Sequence, residues 1–288
     1  MNTLIIGSGF GLYGYLPAIF HVSKKIYLKQ QYEFFFSTRS ELKKFSKKII
    51  WYHDQNKIIT DIDYVVIAKR PQEQSKIIKK LLKKKNNFKH IFLEKPIDVN
   101  PKKALIFLNY LKEKKLKYSF GFIFKYLIWY KFIKSKLTKK QNFEIIWQIA
   151  NKKNNINHWK YSHTHGGGLV KFYGIHFIEL FFSLNLVNIK KNIISKNCWK
   201  IVVSDKRNNF VNLIVKFTNK NKFLIKHNRK QIINSMNPFL KKITNNKIDP
   251  RIAILKKYID TNLKKYKKSS NVDLKFINFC QKIENNNI

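Results

Sequence analysis

Strands and helices alternate through the first 117 residues, and that alternation restricts the possible folds more than any other feature of the chain. It opens on a short apolar run, TLIIG at 3–7, then a glycine-rich turn, then LPAIFHV; this reads as strand, tight turn and helix. YEFFFSTR (32–39) reads as the second strand, and SELKKF as a helix start capped by Ser40. DIDYVVIA (61–68) is a buried strand, followed after Pro71 by the lysine-faced amphipathic helix EQSKIIKKLLKK. HIFLEKP (90–96) is another strand and PKKALIFLNYLKEKK (101–115) another helix. Strands joined through helices lie parallel, with helices covering both faces of the sheet.

From Tyr118 the texture changes. YSFGFIF and NFEIIWQIA look like strands, and a glycine-led apolar helix follows. KNCWKIVVS, NFVNLIVKF and NKFLIKH then come with no helix between them, as in an antiparallel or mixed sheet. The expected fold class is α/β: a dinucleotide-binding type domain over 1–117, then an α+β domain with an open mixed or antiparallel sheet over 118–288. The tail DPRIAILKKYIDTNLKKY reads as a helix with Pro250 in its first turn, and IENNNI as a frayed end.

A hydrophobic fraction of 44% over 288 residues is that of a globular protein with room for one large or two smaller cores. No apolar run is long enough to span a bilayer, and MNTLIIGSGF lacks the basic region and cleavage site of a signal peptide. A cytoplasmic protein with no membrane partner is expected. Cys198 and Cys280 are too few and too far apart for a disulfide framework or a zinc site. The formal net charge of +43 invites a nucleic-acid reading. However, lysine, asparagine, isoleucine and phenylalanine are all in excess and share codons built mostly from A and T, and the lysines are scattered along the chain. Codon bias accounts for the charge, and nucleic acid is not expected as a partner.

GSGFGL (7–12) directly follows the first strand. A dinucleotide-binding turn needs one glycine for the turn and a second to let a pyrophosphate approach the backbone. Gly7 and Gly9 occupy those positions, with Ser8 and Phe10 between and beyond them. The third, helix-packing position is Leu12, with Gly11 one residue early. The end of the second strand selects the cofactor: a carboxylate there binds a ribose 2′-hydroxyl, and an arginine a 2′-phosphate. Read as Ser37, Thr38, Arg39, with no carboxylate before Glu41, that end favours NADP(H), with NAD(H) as the alternative.

GSGFGLYGYLPAI, DIDYVVIAKRP, HIFLEKP and GGGLVKFYGIHFIEL, in this order, resemble the Gfo/Idh/MocA oxidoreductases, the family of glucose–fructose oxidoreductase and inositol dehydrogenase. The resemblance runs from Thr3 to about Leu184. It implies a Rossmann domain followed by an α/β domain whose open sheet forms a homodimer or homotetramer interface. It implies cofactor contacts from the glycine turn, from Ala68 and Pro71 after the third strand read here, and from Glu94 and Lys95 of the EKP motif. It also implies that Lys95 reaches the nicotinamide and the substrate hydroxyl, after a cis Lys95–Pro96 bond.

Family members typically read GGGxLxDxGIHxxDL. The glycines, Gly174, Ile175 and His176 match, and Glu179 stands at the later acidic position, but the aspartate position is Phe172. The resemblance makes His176 the acid–base residue; the rival reading is a core histidine. At α-helical spacing Phe172, Leu169 and Glu179 share its face, and Tyr173 is a spare donor one turn earlier. The preceding NHWKYSHTH carries His158, His163 and His165, whose spacing lacks the register and fourth ligand of a metal site. A loop closing over a polar substrate fits better, with Trp159 stacking on a ring, Lys160 and Lys171 meeting a phosphate or carboxylate, and Phe172 as an apolar wall.

Three functions follow. The first is an NAD(P)-dependent oxidoreductase acting on a small polar substrate such as a sugar, nucleotide sugar or polysaccharide precursor. The missing aspartate raises the second, reduction of an imine or double bond, and the third, a cofactor-binding sensor or assembly subunit without turnover.

Overall fold

Leu4 and Ile5 of β1 (Asn2–Ile6) are fully buried, as befits a strand covered on both faces. The computed structural model describes residues 1–85, 87–150, 159–240, 249–264 and 274–285. In it β1 lies inside a six-stranded parallel sheet with β2 (Lys25–Lys29), β3 (Ile49–Tyr52), β4 (Tyr64–Ile67), β5 (His90–Leu93) and β6 (Tyr118–Phe120). The strand order is β3-β2-β1-β4-β5-β6, every pairing parallel, with the direction of winding reversed between β1 and β4. That is the Rossmann order, and the crevice at the carboxyl ends of β1 and β4 is its ligand position.

Five helices accompany these strands: α1 (Leu16–Ile19), α2 (Glu33–Thr38), α3 (Ser40–Lys43), α4 (Pro71–Leu82) and α5 (Pro101–Glu113). The second strand is not YEFFFSTR. It is KIYLK, whose Ile26, Tyr27 and Leu28 are buried between exposed lysines. EFFFST is helical because only Phe36 of its three phenylalanines finds the core, edge-on to Trp51 at 5.1 Å, while Phe34 is 67% exposed. The Ser37 and Thr38 hydroxyls donate back to the Phe34 carbonyl, the local bonding of a helix and not of a ladder. Ser40 opens α3 without a side-chain capping bond.

The chain forms two compact units. The first holds Met1–Asp98, Lys102–Gly121 and a late helix at Ile252–Lys264. It runs past the boundary expected at 117 because β6 completes the parallel sheet against β5. The late helix is tied in by a buried polar chain: the Ser119 hydroxyl meets the Tyr258 hydroxyl at 2.7 Å and His90 Nε2 at 2.9 Å. Burial, helped by Lys117, lowers the His90 pKa to about 4, so this imidazole is neutral.

The second unit holds Val99–Pro101, the chain from Phe122 to Leu240 and the last helix. It comprises α6 (Ile128–Lys136), β7 (Asn142–Ala150), α7 (Ile175–Ser183), β8 (Asn188–Ile194), β9 (Cys198–Ser204), β10 (Phe210–Thr218), β11 (Lys222–His227) and β12 (Lys230–Ser235). The late helix of the first unit is α8, and α9 (Leu274–Asn285) closes the second. The sheet is mixed, ordered β12-β11-β7-β10-β9-β8, with β7 and β10 parallel and the other pairings antiparallel. α7 contributes Phe177, Ile178, Leu180 and Phe181 to the core, all fully buried. No helix of the described residues is long and apolar enough to cross a membrane.

Candidate active site

The glycine turn has the geometry that a dinucleotide requires. Gly7 has φ +134°, and a Cβ there would stand 2.3 Å from the Ala68 carbonyl oxygen, so only glycine lets β1 turn this tightly beside β4. At Gly9 a Cβ would meet nothing within 4 Å, which leaves the backbone open to an incoming group. Gly11, not Leu12, takes the packing role: its Cβ would press on Ile5 at 3.2 Å and Ala68 at 3.4 Å. Leu12 is fully buried and belongs to the core, not to the cofactor face. Ser8 and Phe10 are half-exposed on the turn. Ala68 continues β4, its amide bonded to the Ile6 carbonyl at 2.8 Å, and Pro71 is the buried first residue of α4. Tight turn, open backbone and close helix packing together fit the phosphates of a dinucleotide.

The reassigned second strand moves the cofactor-selecting position. Its end is Lys29, followed by Gln30, with no carboxylate before Glu33. Thr38 ends α2, and the Arg39 guanidinium lies over the rings of Tyr13 at 4.8 Å and Phe35 at 5.8 Å. The strand-end ground for assigning Thr38 and Arg39 to a 2′-phosphate is therefore removed.

At the end of β5 stand Glu94, Lys95 and Pro96, and the Lys95–Pro96 bond is cis. Sequence reading missed the residue that braces them. Gln74, fully buried on α4, accepts from the Glu94 amide at 2.9 Å and donates to the Glu94 carbonyl at 2.8 Å and the Pro96 carbonyl at 3.3 Å. Its only sequence signal was a polar residue on the apolar side of an amphipathic helix. Burial raises the Glu94 pKa, against the pull of Lys95, Tyr15 and Arg251.

In the second unit the three glycines before α7 have separate reasons. Gly166 and Gly168 take φ of +83° and +80°, and a Cβ on Gly167 would stand 2.2 Å from the Trp159 carbonyl oxygen. Leu169–Gly174 then forms a wide π-type turn before the α-helix proper begins at Ile175. The α-helical spacing expected between Phe172 and His176 straddles this change of pitch. Phe172 meets Trp159 edge-on at 5.4 Å and Tyr173 at 4.9 Å, with the Lys160 ammonium 5.5 Å from its ring centroid. His176 is 7% exposed and stacks on Phe124 at 4.4 Å, with Phe122 edge-on at 6.3 Å.

Tyr173 packs edge-on to Trp147 at 5.5 Å, and burial lifts its hydroxyl pKa well above the ordinary range, so it stays a donor. Glu179 is buried, and burial pushes its carboxyl up to about 7 although Lys125 Nζ lies 4.0 Å away. Lys171 is committed inside the unit: its ammonium pairs with Glu284 at 3.2 Å and donates to the Val99 carbonyl at 3.2 Å. With 11% of its side chain exposed it is a packing tie, and the substrate-anion role expected of it does not fit that environment. Lys160 is exposed and Trp159 half-buried. No group of metal-ligating side chains occurs among the described residues. His158 and the His163 side chain lie outside them.

A doubly wound parallel sheet with this glycine cradle defines a dinucleotide-binding protein of Rossmann type. The sequence match is to this first part of the chain: residues 1–122 match the Gfo/Idh/MocA family model, described as an oxidoreductase family with an NAD-binding Rossmann fold. Solved structures share the fold over the whole chain. A putative myo-inositol dehydrogenase from Sinorhizobium meliloti 1021 superposes with a TM-score of 0.69 at 12% identity, covering 99% of this chain and 95% of that one. The UDP-N-acetylglucosamine 3-dehydrogenase GnnA from Acidithiobacillus ferrooxidans gives 0.66 at 11%, covering 99% and 96%. The WlbA (WbpB) dehydrogenase from Thermus thermophilus, solved with NAD and UDP-GlcNAcA, gives 0.65 at 12%, covering 91% and 89%. No curated protein matches the chain by sequence.

Proposed function

We propose that the protein is an NAD(P)-dependent oxidoreductase acting on a sugar or nucleotide sugar. The observation that carries this reading is the turn in which Gly7 closes on Ala68 while Gly9 stays open. The nicotinamide supplies hydride transfer, and the protein positions it and manages the proton. Lys95, held at the end of β5 by the Gln74 brace, stabilises the developing alkoxide or carbonyl. His176 is assigned the proton exchange, with Tyr173 as a further donor. Trp159 and Lys160 are assigned to the substrate, and Ser8, Gly9, Phe10, Gly11, Ala68, Pro71, Glu94 and Lys95 to the cofactor. The fold shared with the putative myo-inositol dehydrogenase and with the UDP-N-acetylglucosamine 3-dehydrogenase supports the choice of substrate class. The outer face of the second sheet, where Ile193 and Ile232 are each 43% exposed, is assigned to self-association.

The test is NADH and NADPH titration followed by turnover on polyols, sugars and nucleotide sugars. Lys95→Met is expected to keep cofactor affinity and lose turnover, and His176→Asn to lose turnover with an altered pH profile. Cofactor binding without turnover on any of these would favour a binding subunit, the reading to which the burial of His176 against Phe124 lends weight.

A further inference from the structure

We propose that Arg251, in the segment leading into α8, is a binding residue of the dinucleotide site and donates to a phosphate oxygen of the cofactor. This rests on the cofactor-binding reading above. The guanidinium lies 3.9 Å from the ring centroid of Phe10, and Phe10 stands between Gly9 and Gly11 on the turn itself. The ring is a fixed platform: it meets Tyr15 edge-on at 5.4 Å, and a Cβ on Gly14 would come within 2.2 Å of it.

Asp249 fixes the fork from the other side. Arg251 Nε donates to its Oδ1 at 2.8 Å, Nη2 to its Oδ2 at 2.5 Å, and the Arg251 amide to Oδ1 at 2.9 Å. A guanidinium carries five N–H donors in one plane, and this pairing uses two, both on the Nε–Nη2 edge. The Nη1 edge lies outside it, and the side chain remains 36% exposed. Burial raises the pKa values of Glu94 and Tyr15, and the Arg251 charge opposes both rises, so it acts at the edge of the sheet where the glycine turn and the end of β5 meet. A planar donor held rigid on one edge loses little freedom when the other edge takes an anionic oxygen, which suits arginine to phosphate. A local Asp249–Arg251 bridge serving only the loop would need neither the Phe10 platform nor the exposed edge.

The experiment compares NADH and ADP-ribose binding to the wild type and to Arg251→Gln by fluorescence and calorimetry. Both ligands carry the two phosphates, and both are expected to bind the variant about ten- to a hundredfold more weakly, the range of a charge-assisted hydrogen bond. Equal affinity in the variant overturns the role of Arg251 and leaves the cofactor reading standing; a wild type that binds neither ligand removes both. Because the substitution can disturb the loop, the unaltered chain supplies a second measurement. Its five arginines are modified with phenylglyoxal and located by peptide mass. ADP-ribose is expected to shield Arg251 and to leave Arg207 and Arg229 reactive. An Arg251 modified equally fast with and without ADP-ribose overturns the proposal.

Discussion

Glu179 gives the second unit a stability that depends on pH. Its carboxyl is buried, and its Oε2 has no hydrogen-bond partner among the described residues. Lys125 lies 4.0 Å from Oε1 and is itself 35% exposed, so it only partly offsets the burial that raises the pKa from 4.5 to about 7. Between those values the folded protein holds a proton that the unfolded chain releases. The unfolded state binds fewer protons there, and stability falls as pH rises through the window. A difference of about 2.5 pH units at 1.36 kcal/mol each amounts to about 3 kcal/mol, absent below pH 4.5 and complete above pH 7. Glu179→Gln keeps the shape and stays neutral. It should match the wild type at pH 4 and exceed it by about 3 kcal/mol at pH 8. Urea unfolding followed by tryptophan fluorescence reads this directly, because Trp129, Trp147, Trp159 and Trp199 lie in the second unit and only Trp51 in the first. A variant whose difference from wild type is the same at both pH values, or which is less stable at pH 8, would refute the reasoning.

The two turn glycines should separate fold from binding. Gly7→Ala forces a strained φ and a 2.3 Å approach to the Ala68 carbonyl, and is expected to cost about 1–3 kcal/mol in denaturant unfolding. Gly9→Ala, with open space for its Cβ, should leave stability unchanged and weaken NADH binding measured by titration. Arg39→Ala should leave the ratio of NADPH to NADH affinity unchanged. Lys29→Ala should lower NADPH affinity about fivefold, the weight of an exposed charge pair, in the same titration. Lys171→Ala leaves the half-buried Glu284 without its partner and should destabilise the second unit by about 1–2 kcal/mol, seen by tryptophan fluorescence, with substrate KM unmoved.

The alternation of apolar runs and amphipathic helices and the need for glycine at 7 were legible in the sequence because each is set by local chemistry. A buried parallel strand needs a continuous apolar run, and a turn against a neighbouring carbonyl needs a missing Cβ. That was enough for a Rossmann sheet followed by a mixed sheet, and for the family whose model matches residues 1–122. Tertiary structure decided the rest. EFFFST has the composition of a strand, and it became a helix only because the short KIYLK run won the place beside β1. β8 and β12 were hidden because lysine and asparagine break their apolar pattern, and they are edge strands that need only one covered side. The roles of Gly11, Gln74 and Lys171 depend on Ile5, the Glu94 backbone and Glu284, partners brought near by the fold. No spacing along the chain encodes those meetings. The chain alone determined which segments could be strand, turn or helix, and three-dimensional packing determined which side chains were buried, paired or left exposed.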